Sequence, residues 1–198
     1  MSDNNIYVAS LKEKYHIISD NKKDIISQAR LKYSLCDYFK IKTQDIQIMR
    51  DEYRKPYLFG HEDMYFNISH SGRYWICACS DAVTGVDIEC ASKKKYASVI
   101  DSLHSSESRY IRSCTSAEDA FYNVWVRKEA VFKAAGTGIL DELSSFSVIS
   151  KTGQFSESVH YKDLAYYITG LNISIDSYSC LCTSRPNEKI KILYEQTL

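Results

Sequence analysis

MYFNISHSGRYWICACSDAVTGVDIE, residues 64–89, decides the fold, because its apolar and polar residues alternate in three short runs. Runs of this kind, separated by turn-forming residues, predict consecutive β-strands. The turns are predicted at His70-Ser71-Gly72 and at Ser80-Asp81. The predicted strands are therefore residues 64–68, 73–79 and 83–89.

Helical periodicity flanks this stretch on both sides. Apolar residues recur at helical spacing over residues 20–40 and again over residues 116–135, where Thr115 or Ser116 can cap the start and Gly136 the end. The pattern over residues 96–112 predicts short helices. Further strands are predicted at residues 46–49, 146–148, 166–169, 173–175 and 178–183.

Each half of the chain thus has a long helix and a group of strands. The segments YWICAC, residues 74–79, and YSCLC, residues 178–182, occupy comparable places in the two halves. This trace of duplication predicts an α+β protein built from two similar subdomains packed side by side.

Composition narrows the class of protein. The chain has 198 residues, of which 44% are hydrophobic, so it can bury a core. Its 25 basic and 25 acidic residues balance, which disfavours broad nucleic-acid binding. The seven cysteines form no CxxC pair, which favours free thiols in a reducing compartment. The sequence contains neither a signal peptide nor a membrane-length apolar run, so we expect a soluble, cytoplasmic monomer with no membrane partner.

Two carboxylates end the third predicted strand, in Asp87-Ile88-Glu89. Side chains two positions apart on a strand share a face, so Asp87 and Glu89 lie together while Ile88 is buried on the other side. Like charges held close raise each other's pKa unless a cation relieves them, and a hard divalent cation suits oxygen ligands. Taken alone, such a pair is more often a solvated strand end.

Charged residues adjoin the apolar stripe of the second long helix, in WVRKEAVFK, residues 125–133. Glu129 and Lys133 are one turn apart on a shoulder of the stripe that contains Trp125 and Phe132, and Lys128 lies near the opposite shoulder. An exposed Glu–Lys pair is the alternative interpretation. The position beside the stripe favours a Glu129 that reaches a cleft and supplies a third carboxylate to the same ion.

The segment NISHSG, residues 67–72, is the third candidate element. A strand followed by small polar residues and glycine forms a turn whose N–H groups can face an anion. His70 can add a donor to a phosphate. A plain hairpin turn with a surface histidine is the alternative.

In this order, NISHSGRYW, GVDIE and WVRKEAVFKAAGTGI resemble the signatures of the Sfp-type 4′-phosphopantetheinyl transferases. The resemblance runs from about residue 44 to residue 148, and Lys55-Pro56 falls where that family keeps a Lys-Pro. It implies two similar α+β subdomains about a pseudo-twofold axis, with coenzyme A in the cleft between them. We expect the subdomains to be residues 1–95 and 96–198.

The resemblance also implies roles for single side chains. Asp87, Glu89 and Glu129 match the ligands of a magnesium ion, for which manganese could substitute, and Glu129 also matches the base. Lys133 matches a catalytic residue that contacts the transferred phosphate or stabilises the leaving group. At Glu107, we favour a helix start over support of the metal site. The residues that match coenzyme A contacts are Lys55, Ser69, His70, Lys128 and Lys23.

The implied reaction moves the phosphopantetheine arm of coenzyme A onto a serine of an apo carrier protein (an acyl, peptidyl or aryl carrier) and releases 3′,5′-ADP. The acceptor would dock near residues 96–115, and an arm pointing to solvent would admit acylated coenzyme A. A degenerate relative that binds coenzyme A or a carrier without catalysis is one alternative, which the intact set of three carboxylates argues against. Another magnesium phosphotransferase or a nuclease is a further alternative, but it leaves Ser69, His70 and Lys133 without a role.

Overall fold

The computed structural model describes residues 4–10, 20–91, 97–138, 142–186 and 189–194. The helices are α1 (Asp20–Phe39), α2 (Ala97–Ile100), α3 (Ser105–Ser113) and α4 (Ala117–Ala135), with a 3₁₀ turn at Thr43–Asp45. The strands up to residue 90 are β1 (Asn4–Ser10), β2 (Ile48–Arg50), β3 (Pro56–Leu58), β4 (Tyr65–Ser71), β5 (Tyr74–Ser80) and β6 (Thr84–Cys90). The later strands are β7 (Ser158–Tyr161), β8 (Leu164–Leu171), β9 (Ser177–Thr183) and β10 (Ile190–Tyr194).

The strands form two four-stranded sheets and a small hairpin. The first sheet has the order β10-β1-β5-β4, the second the order β6-β9-β8-β7, and β2 pairs with β3 in the hairpin. All neighbours in the two sheets are antiparallel except β1 and β10, which run in parallel. This mixture of helices with largely antiparallel sheets confirms the predicted α+β class.

The two sheets pack face to face, and each is covered on its outer face by one long helix. On β5, Ile76 belongs to the core shared by the sheets, whereas Cys77 belongs to the core under α1. On β9, Leu181 faces the shared core and Cys182 faces the core under α4. Alternate residues of a strand point to opposite faces, which is why both inner strands are buried on two sides. The equivalent placement of β5 and β9 agrees with the duplication that the sequence suggested.

The division predicted at residue 95 lies outside the described residues. Strand pairing crosses that point twice: β6 pairs with β9 in the second sheet, and β10 pairs with β1 in the first. The two halves are thus joined by exchanged edge strands. Within the described residues, no helix has both the length and the apolar character needed to cross a membrane.

Helix α4 begins and ends where the sequence predicts. The Ser116 hydroxyl accepts a hydrogen bond from the Asp119 amide at 3.2 Å, which caps the first turn. Gly136 follows the last turn with φ of 74°, a left-handed conformation that glycine adopts without strain. These caps fix the register of the helix and so decide which of its side chains face β6.

Two predicted strands are wrong. Residues 146–148 are irregular because their backbone bonds side chains instead of a neighbouring strand. The Val148 amide donates to the Glu107 carboxylate at 2.8 Å, and the Phe146 carbonyl accepts from the Lys128 ammonium. Residues 173–175 form a turn, in which the Ser177 amide bonds the Ser174 carbonyl. The strands β1, β3, β7 and β10 were not predicted from the sequence.

Close contact between α4 and β6 depends on Gly85. A Cβ atom at this position would lie 2.1 Å from the Ala130 carbonyl oxygen and 2.4 Å from the Ala134 nitrogen. Both are backbone atoms, so the helix itself would have to move. Gly85 therefore sets the distance between the helix that carries Glu129 and the strand that carries Asp87.

We expect Gly85→Ala to lower the free energy of unfolding by about 1–3 kcal/mol, the usual range for overpacking a core. Urea denaturation would measure this. Gly170→Ala is the matched control, because there the added Cβ would meet only the flexible end of the Arg127 side chain, at 2.9 Å. Equal losses in the two variants would show that α4 is not held by close packing at Gly85.

Candidate active site

A pocket of about 530 Å³ lies between β4, β6 and the last turns of α4. The carboxylates Asp87, Glu89 and Glu129 all line it, although β6 and α4 are distant in sequence. Four of the other predicted site residues line the same pocket: Lys55, Ser69, His70 and Lys133.

Polar side chains of β4 bond the backbone of β6 and so hold the two sheets together at this pocket. The Asn67 Oδ1 atom accepts from the Val86 amide at 2.9 Å, and the Ser71 hydroxyl accepts from the Cys90 amide at 3.0 Å. Ser69 lies between them and accepts from the Ile88 amide at 3.4 Å. Side chains thus satisfy the amides along the edge of the second sheet. Asn67 and Ser71 belong to the candidate segment 67–72, but their alternation with Ser69 on one strand was not used to give them a role.

Asp87 is the most deeply buried carboxylate of the pocket, with 3% of its surface exposed. Its Oδ1 atom accepts a hydrogen bond from the Ser69 hydroxyl at 2.8 Å and one from the Lys133 ammonium at 2.6 Å. Its Oδ2 atom is buried and has no hydrogen-bond partner among the described residues. Burial raises the pKa of Asp87, and Lys133 opposes this shift. A buried carboxylate oxygen without a partner is costly, so this atom is suited to take a ligand.

Glu129 faces Asp87 from the helix. Its burial, and next the charge of Asp87, raise the pKa of Glu129 from 4.5 to about 8; Glu89 adds to this shift and Lys133 opposes it. Glu89 accepts a hydrogen bond from the Ser71 hydroxyl at 2.8 Å. Three carboxylates close enough to raise a pKa are a set that a cation would relieve.

The donor set fits a hard divalent cation: three carboxylates line one pocket, and one of their buried oxygens has no partner in the described part of the chain. Across the residues that the structure describes, however, no three His, Cys, Asp or Glu side chains are already arranged to hold a metal ion. At Asp87, the Lys133 ammonium occupies the position of a counter-ion.

Basic groups also line the pocket. Lys55 donates from Nζ to the Ala134 carbonyl at the end of α4, at 2.7 Å, and burial lowers the pKa of Lys55 to about 8. His70 is exposed at the pocket wall. Arg50, which no sequence motif singled out, also lines the pocket from the β2–β3 hairpin. It lies shortly before Lys55-Pro56 in the sequence, but no spacing pattern marked it as a site residue.

The structure contradicts a phosphate contact by Lys128. Its side chain is completely buried away from the pocket, and its ammonium donates to Glu107 at 3.1 Å and to the Phe146 carbonyl at 2.7 Å. The ammonium also lies 4.1 Å from the centre of the Phe146 ring. The helical wheel placed Lys128 at the edge of the apolar stripe, but α3 and the segment after α4 cover that side.

Glu107 has the predicted role at a helix start. It closes a capping box with His104 at the beginning of α3, because its carboxylate accepts from the His104 amide at 3.1 Å. Lys23 lies in α1, but its side chain falls outside the described residues, so its predicted phosphate contact stays a prediction.

The raised pKa of Glu129 predicts how stability depends on pH in a chelating buffer. Between pH 4.5 and about 8 the folded state holds this proton more tightly than the unfolded chain, so the free energy of unfolding falls as pH rises. One such proton changes the free energy of unfolding by at most about 1.4 kcal/mol per pH unit. Glu129→Gln should make the free energy of unfolding, measured by urea denaturation, depend less steeply on pH across this window. Asp87 and Glu107 keep a residual slope of the same sign in both proteins. Identical slopes in the two proteins would mean that Glu129 ionises normally.

Comparison with known proteins places this arrangement in a family. Residues 84–182 match the model of the 4′-phosphopantetheinyl transferase superfamily, and residues 9–82 match that of a 4′-phosphopantetheinyl transferase N-terminal domain. The chain is 28% identical to the 4′-phosphopantetheinyl transferase Sfp of Bacillus subtilis, over 93% of this chain and 85% of that one. It is 27% identical to the 4′-phosphopantetheinyl transferase gsp of Aneurinibacillus migulanus, over 86% and 72% of the two chains. The superfamily match at residues 84–182 covers half of the chain and includes the strand of Asp87 and the helix of Glu129. The chain therefore belongs to the 4′-phosphopantetheinyl transferase superfamily.

Proposed function

We propose that this chain transfers the phosphopantetheine arm of coenzyme A to a serine of an apo carrier protein and releases 3′,5′-ADP. Its family and the names of its relatives support this reaction. The observation that carries the proposal is the meeting of Asp87, Glu89, Glu129 and Lys133 in one pocket. The seven free cysteines suit a reducing compartment, so we place the reaction in the cytoplasm.

The proposal includes a magnesium ion, or manganese in its place, held by Asp87, Glu89 and Glu129. The Asp87 Oδ2 atom, which lacks a partner among the described residues, supports this donor set. When bound, such an ion would neutralise charge that develops on the bridging oxygen of the pyrophosphate.

The chain's own residues would supply the proton transfer and part of the charge stabilisation. The carrier serine forms a bond to the phosphorus of the arm while the bond to the bridging oxygen breaks, and 3′,5′-ADP leaves. Glu129, or a water that it polarises, accepts the serine proton. The Lys133 ammonium stabilises negative charge on the transferred phosphate or on the leaving group.

Lys55 and His70 are the proposed contacts to the nucleotide part of coenzyme A. Both line the pocket, and Arg50 adds a guanidinium to the lining. Ser69 contributes indirectly, since its hydroxyl is already bonded to Asp87.

The test is a mass measurement on apo carrier proteins of the acyl, peptidyl and aryl types, each mixed with the chain, coenzyme A and magnesium. We expect one carrier class at least to gain the mass of one phosphopantetheine arm, and a chelator to stop the gain. Persistent modification in both Asp87→Ala and Glu129→Ala would rule out the metal assignment. Binding of coenzyme A without modification of any carrier would identify a degenerate relative instead.

A further inference from the structure

The contact between Lys133 and Asp87 is a close, partly buried ion pair inside the pocket. The Lys133 ammonium lies 2.6 Å from Oδ1 of Asp87 and 2.9 Å from the hydroxyl of Ser69. The Lys133 side chain keeps 28% of its surface exposed, whereas that of Asp87 keeps 4%. The carboxylate is therefore fixed, and the ammonium reaches it from the open side on a flexible stem.

A divalent cation would approach the same carboxylate. The buried Oδ2 atom of Asp87 has no partner within the described ranges and belongs to the same group as the Oδ1 atom that Lys133 holds. A divalent ion on one oxygen and an ammonium on the other would repel each other strongly in a buried setting. Glu89 and Glu129, which line the same pocket, add negative charge that favours the divalent ion.

We propose that Lys133 is the resident counter-cation of Asp87, that a divalent cation competes with it for this carboxylate, and that the displaced ammonium becomes free to meet the phosphate of the substrate. This inference rests on the proposed function for the identity of the ion and of the phosphate. It gives a role to the contact between Lys133 and one member of the carboxylate set that lines this pocket.

The competition gives Lys133 opposite effects on the two ligands. Removing its charge should strengthen binding of the metal alone, because Asp87 then has no resident cation. The same change should weaken binding of coenzyme A, because a positive group near its phosphates is lost. A side chain that only stabilises the fold would not separate the two affinities in this way.

The first experiment titrates the protein with Mn²⁺ alone and follows the electron paramagnetic resonance signal of the free ion, with Mg²⁺ as competitor. We expect Lys133→Met to bind Mn²⁺ about tenfold more tightly than the wild type, the factor that corresponds to losing one charge-assisted hydrogen bond. Lys151→Met removes an equal charge from an exposed position outside the pocket and should leave the affinity unchanged. Unchanged or weaker binding in a folded Lys133→Met overturns the proposal.

The second experiment uses the wild type and does not depend on a variant that folds. Lysine labelling with a small acylating reagent, mapped by mass spectrometry, should modify Lys133 slowly in chelator and faster when Mg²⁺ is added without coenzyme A. Labelling that Mg²⁺ leaves unchanged contradicts displacement. Neither readout uses transfer, so a wild type that transfers nothing to any carrier would refute the proposed function while the competition is still measured.

Discussion

Asp87→Asn is expected to lower the rate of phosphopantetheine transfer about 10³-fold while leaving the fold intact. Asparagine keeps the size of the side chain and can still accept from Ser69, but it loses the charge that pairs with Lys133 and that the proposed divalent ion would need. Charge stabilisation by a metal contributes several kcal/mol to such a reaction, and each step of about 1.4 kcal/mol is a factor of about ten in rate. Single-turnover mass spectrometry on a saturated apo carrier protein would measure the loss.

The matched control is Asp63→Asn, which makes the same chemical change at an exposed residue outside the pocket lining. It should keep the wild-type rate. A transfer rate in Asp87→Asn within about tenfold of the wild type would remove Asp87 from the metal ligands. A large loss that excess Mg²⁺ reverses would place the defect in metal affinity, which still supports the assignment.

The strands around residues 64–89 could be predicted because their alternation is a local property of the sequence. β4, β5 and β6 begin and end within a few residues of the predicted runs. β1 and β10 were not predicted from their local sequence, and they pair with each other although they are far apart in the chain. The false strand at residues 146–148 shows the reverse case: its apolar residues are buried, but its backbone bonds the side chains Glu107 and Lys128 instead of a neighbouring strand.

The candidate site was predictable where spacing on one element decides the geometry. Asp87 and Glu89 share a face of β6, and Glu129 and Lys133 share a face of α4, so two short patterns supplied the carboxylates and the ammonium. Whether the Lys133 ammonium reaches the carboxylate of Asp87 depends on the distance between α4 and β6, and Gly85 sets that distance. Lys128 shows the limit of prediction from spacing, because a helical wheel gives the direction of a side chain but not the residues that it contacts.

Lys128→Met should be the most destabilising of the substitutions considered for this chain. The ammonium of Lys128 and the carboxylate of Glu107 are both completely buried, and each has further bonds to the backbone. Removing one partner leaves the other charge buried and uncompensated, which typically costs about 3–5 kcal/mol in the free energy of unfolding. Chemical denaturation monitored by tryptophan fluorescence would measure the loss, with the exposed Lys151→Met as the control that should unfold like the wild type.

A second variant separates the loss of a charge pair from the loss of packing. Glu107→Gln in the Lys128→Met background removes the uncompensated charge. The amide oxygen of the new side chain can still accept from the Val148 amide, but its NH₂ group replaces the oxygen that accepts from the His104 amide. The double variant should therefore be more stable than Lys128→Met alone, because neutral polar groups are cheaper to bury than an unpaired carboxylate. If Lys128→Met alone unfolds like the wild type, the charge of Lys128 and its contact with Phe146 both contribute little to stability, which would contradict the prediction.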